Sequence, residues 1–376
     1  MFTKRTLAAS LAATVTLAVF LTGCGGTSPH TTSGVDAATA KSASAFGGMA
    51  ALETAAKSEG ALNVIALPHD WANYGAVLAL FAKKYPQITV NEASPDASSA
   101  EETQAAKNLK GQDTAPDVFD LGLTVAGANS ASFAPYKVTT WADIPASLKE
   151  ANGLYVGDYG GFMSVGYDPD AVPAPKSLAD LLKPVYKGKV AIDGDPTQAG
   201  AAFAAVGLAT VQNKGTVDDF NAGVDFFTKL NATGNFLKTD ATPATIASGE
   251  TPVLFDWDYL NTGYGKKLSG QRKWKVVVFS GNGYAGYYNQ AINKDAKHPA
   301  AARLWQEFLY SDQVQNLWLA GGARPARAEA MASAKTIDAA LYKALPPAPA
   351  KTIVPDAAQS AAAAKLLSAK WAAAVQ

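Results

Sequence analysis

Apolar and polar positions along this chain fall into short blocks whose period changes repeatedly. Leu62-Asn63-Val64-Ile65-Ala66-Leu67 is a compact apolar run cut off by Pro68-His69-Asp70. Behind it Tyr74, Val77, Leu78, Phe81 and Tyr85 recur at three- and four-residue steps, predicting an amphipathic helix that ends at Pro86. Residues 88–91 read as a second strand, so this is a β-α-β unit with loop 68–73 at the C-terminal end of its first strand. Residues 117–122 predict another buried strand. From Tyr155 the texture turns dense in Gly and Tyr: 155–161 and 163–167 read as strands, and glycine there lowers the cost of bending the backbone. A crossing between lobes is expected at this point. Further strands are predicted at 188–192, 252–256, 274–279 and 287–292, and helices over 199–212, 220–230, 300–310 and 314–319. An alanine-rich helix is expected beyond Pro346-Pro347. The alternation argues for an α/β body with a largely parallel sheet.

The N-terminus has a different grammar. Lys4 and Arg5 precede an apolar stretch, 6–22, which ends in Leu21-Thr22-Gly23-Cys24. A cationic start, a short apolar core and small residues before a cut mark a secretory signal over 1–23. The cut site resembles the bacterial lipoprotein lipobox, which implies acylation of Cys24 and a lipid-anchored, extracytoplasmic protein. Residues 24–59, rich in Gly, Ser, Thr and Ala, are expected to be a flexible tether.

Composition narrows the function. Across 376 residues, Lys+Arg and Asp+Glu are both 32, so no basic excess exists to neutralise phosphates and no nucleic-acid partner is expected. One cysteine rules out a disulfide framework and a Cys-based zinc site, and the three histidines, His30, His69 and His298, lie far apart. Gly281-Asn282-Gly283-Tyr284-Ala285-Gly286 fits G-x-G-x-x-G, but a dinucleotide site must open a helix and the following residues look extended. A glycine-rich turn is expected, with no cofactor.

Acids and aromatics meet at predicted strand ends: Asp70, Trp71 and Tyr74; Asp158 and Tyr159; Asp256, Trp257, Asp258 and Tyr259; and Tyr287 with Tyr288. In open α/β sheets ligands bind beyond the carboxyl ends of strands. Asp256 and Asp258 share a face if both are in a strand. Carboxylates offset the desolvation of an ammonium, and ring faces add about 0.5–2 kcal/mol each. The polar loop 193–198, with Thr197 and Gln198, feeds a helix N-terminus whose amide N–H groups suit an acceptor. His69 with the two tyrosines and a carboxylate would instead suit ferric iron, and the Asp256/Asp258 pair would suit glycosidic acid/base work. Arg324 reads as a structural salt-bridge partner.

The lipobox, the tether, YKGKVAIDGDPTQAG (186–200), ATPATIASGETPVLFDWDYLN (241–261) and the stretch 287–325 resemble bacterial extracellular solute-binding proteins of ABC importers, in the branch of spermidine/putrescine and ferric-iron binders. The resemblance covers about 60–330. It implies the type II periplasmic-binding fold: two α/β lobes, 60–156 with 281–376 and 157–280, joined by two hinge-crossing strands around a cleft. It also implies a non-enzymatic monomer that hands a solute to permease subunits, with cleft-lining positions at 69–74, 122–124, 158–159, 195–198, 256–259 and 287. Ferric members carry adjacent tyrosines where this chain has Asp-Trp-Asp-Tyr. The favoured solute is a polyamine, with Asp256 and Asp258 gripping one ammonium, Asp70 the other, and Trp71, Trp257 and Tyr287 sandwiching the carbon chain. Ferric iron, a phosphonate-type anion and an extracellular hydrolase are the alternatives.

Overall fold

The chain folds well before residue 60. In the computed structural model, which describes residues 31–32, 35–239 and 241–376, Ala43–Phe46 forms a 3-10 turn and Met49–Glu59 forms helix α1. Phe46, Leu52, Ala55 and Ala56 are buried. The tether expected over 24–59 is therefore corrected from Val35 onward: MAALETAAKSE is made of good helix formers, and Phe46 and Leu52 give it apolar anchors. The signal at 1–23, Cys24 and His30 lie outside the described residues.

The β-α-β unit follows as β1 (Ala61–Ile65), α2 (Tyr74–Lys84) and β2 (Thr89–Ala93), the strands parallel with Ala61 opposite Thr89. Tyr74, Val77, Leu78 and Phe81 are buried, as their spacing predicts. After α3 (Ser99–Asn108), β3 (Val118–Gly122) lies antiparallel to the far half of a later strand.

Two long strands organise the rest. β4 (Tyr155–Tyr167) is one continuous strand of 13 residues, not two, and every residue in it is buried. Its first half pairs with β7 (Asn282–Asn293); its second half pairs with β6 (Val253–Trp257), which runs parallel to β5 (Val190–Ile192). β4 thus pairs with strands at both of its halves within one nine-stranded sheet, while β7 runs beside its first half. Glycine serves close approach here rather than bending: a Cβ on Gly160 would collide with the Gly286 carbonyl and the Tyr287 ring, and one on Gly161 with the Asp258 carboxylate. The turn expected over 281–286 is confined to Gly281, at φ +93°, because β7 already begins at Asn282.

Helices α4 (Gly200–Gln212) and α5 (Asn221–Ala232) cover the second sheet, and α6 (Asp258–Lys267) starts where β6 stops. α7 (Pro299–Leu309) and α8 (Asp312–Ala320) return to the first lobe. The last helix, α9 (Ala357–Ala374), does not stay there: Trp371 packs edge-on against Phe227 with centroids 5.3 Å apart, and Lys370 donates to Asn221 at 2.6 Å. Its first turn meanwhile lies beside Gly127. The segment that the expected boundaries give wholly to the first lobe therefore braces both.

Candidate functional site

The loop after β1 is a strained turn. Ala66, Ala72 and Asn73 all adopt positive φ, and Gly75 N–H closes back on the His69 carbonyl at 2.9 Å. This geometry lifts Asp70 and Trp71 to the wall of a cavity of about 820 Å³ between the lobes. The first lobe contributes Ala66, Pro68, Asp70, Trp71, residues 95–99, Glu101, Glu102 and Asp120; the second contributes 193–195, 198–201, 241–243, Leu260 and Tyr264; Tyr288 stands between them. Seven carboxyl-bearing residues line it: Asp70, Asp96, Glu101, Glu102, Asp120, Asp193 and Asp195. Its lining contains no lysine, arginine or histidine. Across the mouth, Lys267 at the end of α6 pairs with Asp70 at 2.5 Å.

Under this cavity lies a polar and aromatic floor. Tyr159 donates its hydroxyl to Asp120 at 2.7 Å and receives the Trp71 indole N–H at 2.8 Å; Gln290 donates to Asp120 and to the Tyr74 hydroxyl, both at 3.0 Å. Burial pushes Asp120 up to about 7 against the pull of those hydrogen bonds. Glu102, fully buried and holding the Asp120 backbone N–H, is raised by burial as well. Asp158 is held above its usual range by burial and by Asp120, and its Oδ2 has no partner. The Tyr159 ring stacks on Tyr288, centroids 5.7 Å apart, and touches Tyr74, Tyr259 and Trp318.

Behind Tyr288 is a second cavity, of about 270 Å³. The two share Gln198, Ala199, Gly200 and Tyr288 in their linings. Between them the backbones of Gly122 and Gly200 meet so closely that a Cβ on Gly122 would sit 3.4 Å from the Gly200 Cα. The lobes thus touch through glycine.

The candidate residues distribute unevenly. Asp70 and Trp71 line the wide cavity, Gln198 lines both, and Thr197, Trp257 and Tyr287 line only the second. Tyr74, Tyr159 and Tyr259 are buried in the aromatic floor and line neither. Trp71, Trp257 and Tyr287 therefore do not form one sandwich.

Asp256 and Asp258 require a larger correction. β6 ends at Trp257 and Asp258 is the first residue of α6, so strand alternation no longer places them on one face. Asp256 is fully buried, taking the Trp257 N–H at 2.7 Å and facing the Tyr264 hydroxyl at 3.4 Å. Asp258 takes the Phe162 N–H at 3.0 Å and Arg324 at 2.9 Å; burial raises it to about 6 although Arg324 pulls it down. Neither lines either cavity, so neither grips an ammonium there or meets a glycoside.

His69 is exposed and pairs with Glu92 at 2.7 Å, away from Tyr287 and Tyr288, so the ferric set is not assembled; no cluster of His, Cys, Asp or Glu able to hold a metal is found among the described residues. In loop 193–198, Asp195 itself accepts the Thr197 N–H and hydroxyl, and its carbonyl takes the N–H groups of Gln198 and Ala199, using donors expected to face a ligand. Asp96, Glu101, Glu102 and Tyr264 escape the sequence reading, which took loop 193–198 only as a site for an acceptor ligand. For Asp96 the available signal was its place just after β2, at a strand end.

Residues 126–359 match the family described as bacterial extracellular solute-binding protein. No curated protein has a significantly similar sequence. Among solved structures, the chain is similar to the periplasmic binding protein P5PA (19% identity, 84% of this chain and 100% of that one, TM-score 0.65). It is also similar to iron-bound HitA from Pseudomonas aeruginosa (20%, 83% and 98%, TM-score 0.61). A third is AgtB from A. tumefacien R10 in complex with agropinic acid (16%, 84% and 98%, TM-score 0.63). These similarities establish the two-lobe periplasmic-binding fold.

Proposed function

Because this chain belongs to the bacterial extracellular solute-binding protein family, we propose that it captures an organic cation carrying one or more ammonium groups, such as putrescine or spermidine, and passes it to an ABC permease. The observation that carries this reading is the wall of the wide cavity: seven carboxyl-bearing residues, no basic one, and the rings of Trp71, Tyr264 and Tyr288. A cation leaving water needs compensating negative charge, and a ring face adds to it. An anion such as a phosphonate would meet the exposed carboxylates of Asp70, Asp96, Glu101 and Asp195, while the buried Glu102 and Asp120 are raised and so carry less charge. The fold leaves the cargo open, since related proteins hold iron or agropinic acid; the lining chemistry favours amines.

In this reading the lobes are 60–156 with 281 to about 346 and 157–280, hinged where β4 and β7 cross, and α9 spans them. Solute bridging both walls stabilises the closed arrangement by its higher affinity for it. The lipobox at Cys24 tethers the protein to the outer face of the membrane; no helix among the described residues is long and apolar enough to cross it.

Isothermal titration with putrescine, spermidine and methylphosphonate tests this. Saturable amine binding is expected, weakened about tenfold or more by the double variant Asp70→Asn/Asp96→Asn, since a charge-assisted contact contributes roughly 1.5–3 kcal/mol. Binding of the phosphonate with no heat from any amine would overturn it.

A further inference from the structure

Beyond Pro346, whose carbonyl receives Arg324 at 2.5 Å, the chain leaves the first lobe. Lys351–Ile353 runs parallel to Asn282–Tyr284 at the start of β7, and Asp356 then caps α9 through the Gln359 N–H at 2.8 Å. The two ends of α9 are held differently. Near its C-terminus the buried Trp371 packs edge-on against Phe227 and Phe236, with centroids 5.3 and 6.2 Å away. Lys370 donates to Asn221 at 2.6 Å and Asn231 to the Gln376 carbonyl at 2.8 Å, so rings and polar pairs together fix this end to the second lobe. At the other end Ala357 faces the short helix Leu123–Ala128 of the first lobe, where a Cβ on Gly127 would lie 3.7 Å from that of Ala357. Small side chains meet there, and among the described residues no hydrogen bond or ion pair joins α9 to that helix. Ser360, one turn along from Ala357, is buried with its hydroxyl unpartnered, a cost that water removes when this turn lifts away.

We propose that α9 is a latch: its Trp371 end travels with the second lobe, while its Ala357 end seats on the first only when the cleft is shut. At 1.5 Å per residue its 18 residues reach about 27 Å, so a small turn of the second lobe carries the far end clear of Gly127. Seating then favours the shut arrangement before any solute arrives, and the weaker end is the one that releases. This latch presupposes the hinged two-lobe reading but no particular solute.

Small-angle X-ray scattering from the solute-free protein tests it. Gly127 lies outside the left-handed region, so it accepts a side chain, and the 3.7 Å Cβ separation suits a disulfide. Gly127→Cys/Ala357→Cys therefore pins the seated end on oxidation, with Cys24→Ser leaving these as the only thiols. Gly127→Leu wedges the same contact apart. A larger radius of gyration is expected for the wedged protein than for the pinned one, and reduction should return the pinned protein to the wild-type value. Should Gly127→Leu not fold, Ala357→Leu wedges from the α9 side. Equal radii for wedged, wild-type and pinned proteins would overturn the latch, as would a wedged form more compact than the pinned one. Because no solute is present, a failure of amine binding leaves this result standing, and amine binding with unmoved scattering sinks the latch alone.

Discussion

Arg324 shows how a single side chain decides what an acidic pair can do. Its guanidinium reaches Asp258 at 2.9 Å and lies 4.3 Å over the Phe162 ring, so a carboxylate that looks available in the sequence is spent inside the protein. Removing the arginine leaves a fully buried acid without its counter-charge. Arg324→Met is expected to cost about 3–5 kcal/mol in urea unfolding, whereas Arg324→Met combined with Asp258→Asn should recover much of that. The arginine's structural role was legible from the sequence, but its partner was not: 66 positions separate it from Asp258, and only the pairing of Arg324 with Gly160 on β4 brings them together. Trp71, by contrast, was found from its neighbours alone, since an aromatic beside an acid just after a strand is a local signal.

At the scale of elements, helix-to-helix contacts explain where the sequence reading held and where it slipped. The period of α2 and the β1–α2–β2 unit were readable because each is fixed by its own spacing. α1 was not, because its apolar face is small and a Gly-Gly pair precedes it; what orders it is α7, more than two hundred residues on. Glu59 at the end of α1 takes the N–H groups of Ala300 and Ala301 at 3.0 and 2.8 Å, capping α7. Burial raises this carboxyl to about 7, and nearby His298, hydrogen-bonded to Asp117, is raised too. Both groups therefore hold more protons folded than unfolded. By linkage, Glu59 contributes fully below about 4.5 and loses its contribution as pH climbs to about 7, and His298 loses its own as pH rises above about 6.5. Thermal unfolding should show a midpoint that declines from pH 5 to pH 8, and Glu59→Gln should flatten the decline.

Across the whole molecule, the two-lobe architecture was legible; the largely parallel sheet was not, because β4 pairs antiparallel with both β6 and β7, and the cavity was legible only in outline. Strand ends identify where a cleft must be, but which acids face it depends on how two lobes meet. The single carboxylates at 96, 101, 102, 120, 193 and 195 converge only in three dimensions. One intramolecular cation already sits at this wall: Lys267, reaching over from the other lobe to Asp70. On the proposed amine reading a solute ammonium must displace it, and a half-exposed ion pair is worth about 0.2–1 kcal/mol. Lys267→Met is expected to tighten putrescine binding by up to about fivefold in calorimetry, and a weaker complex would instead make the lysine part of the closure. The same ring of carboxyls also bears on kinetics. If the proposed amine is the cargo, their potential in a low-dielectric recess should draw it inward before contact, so capture should proceed faster than random encounter and slow as ionic strength rises.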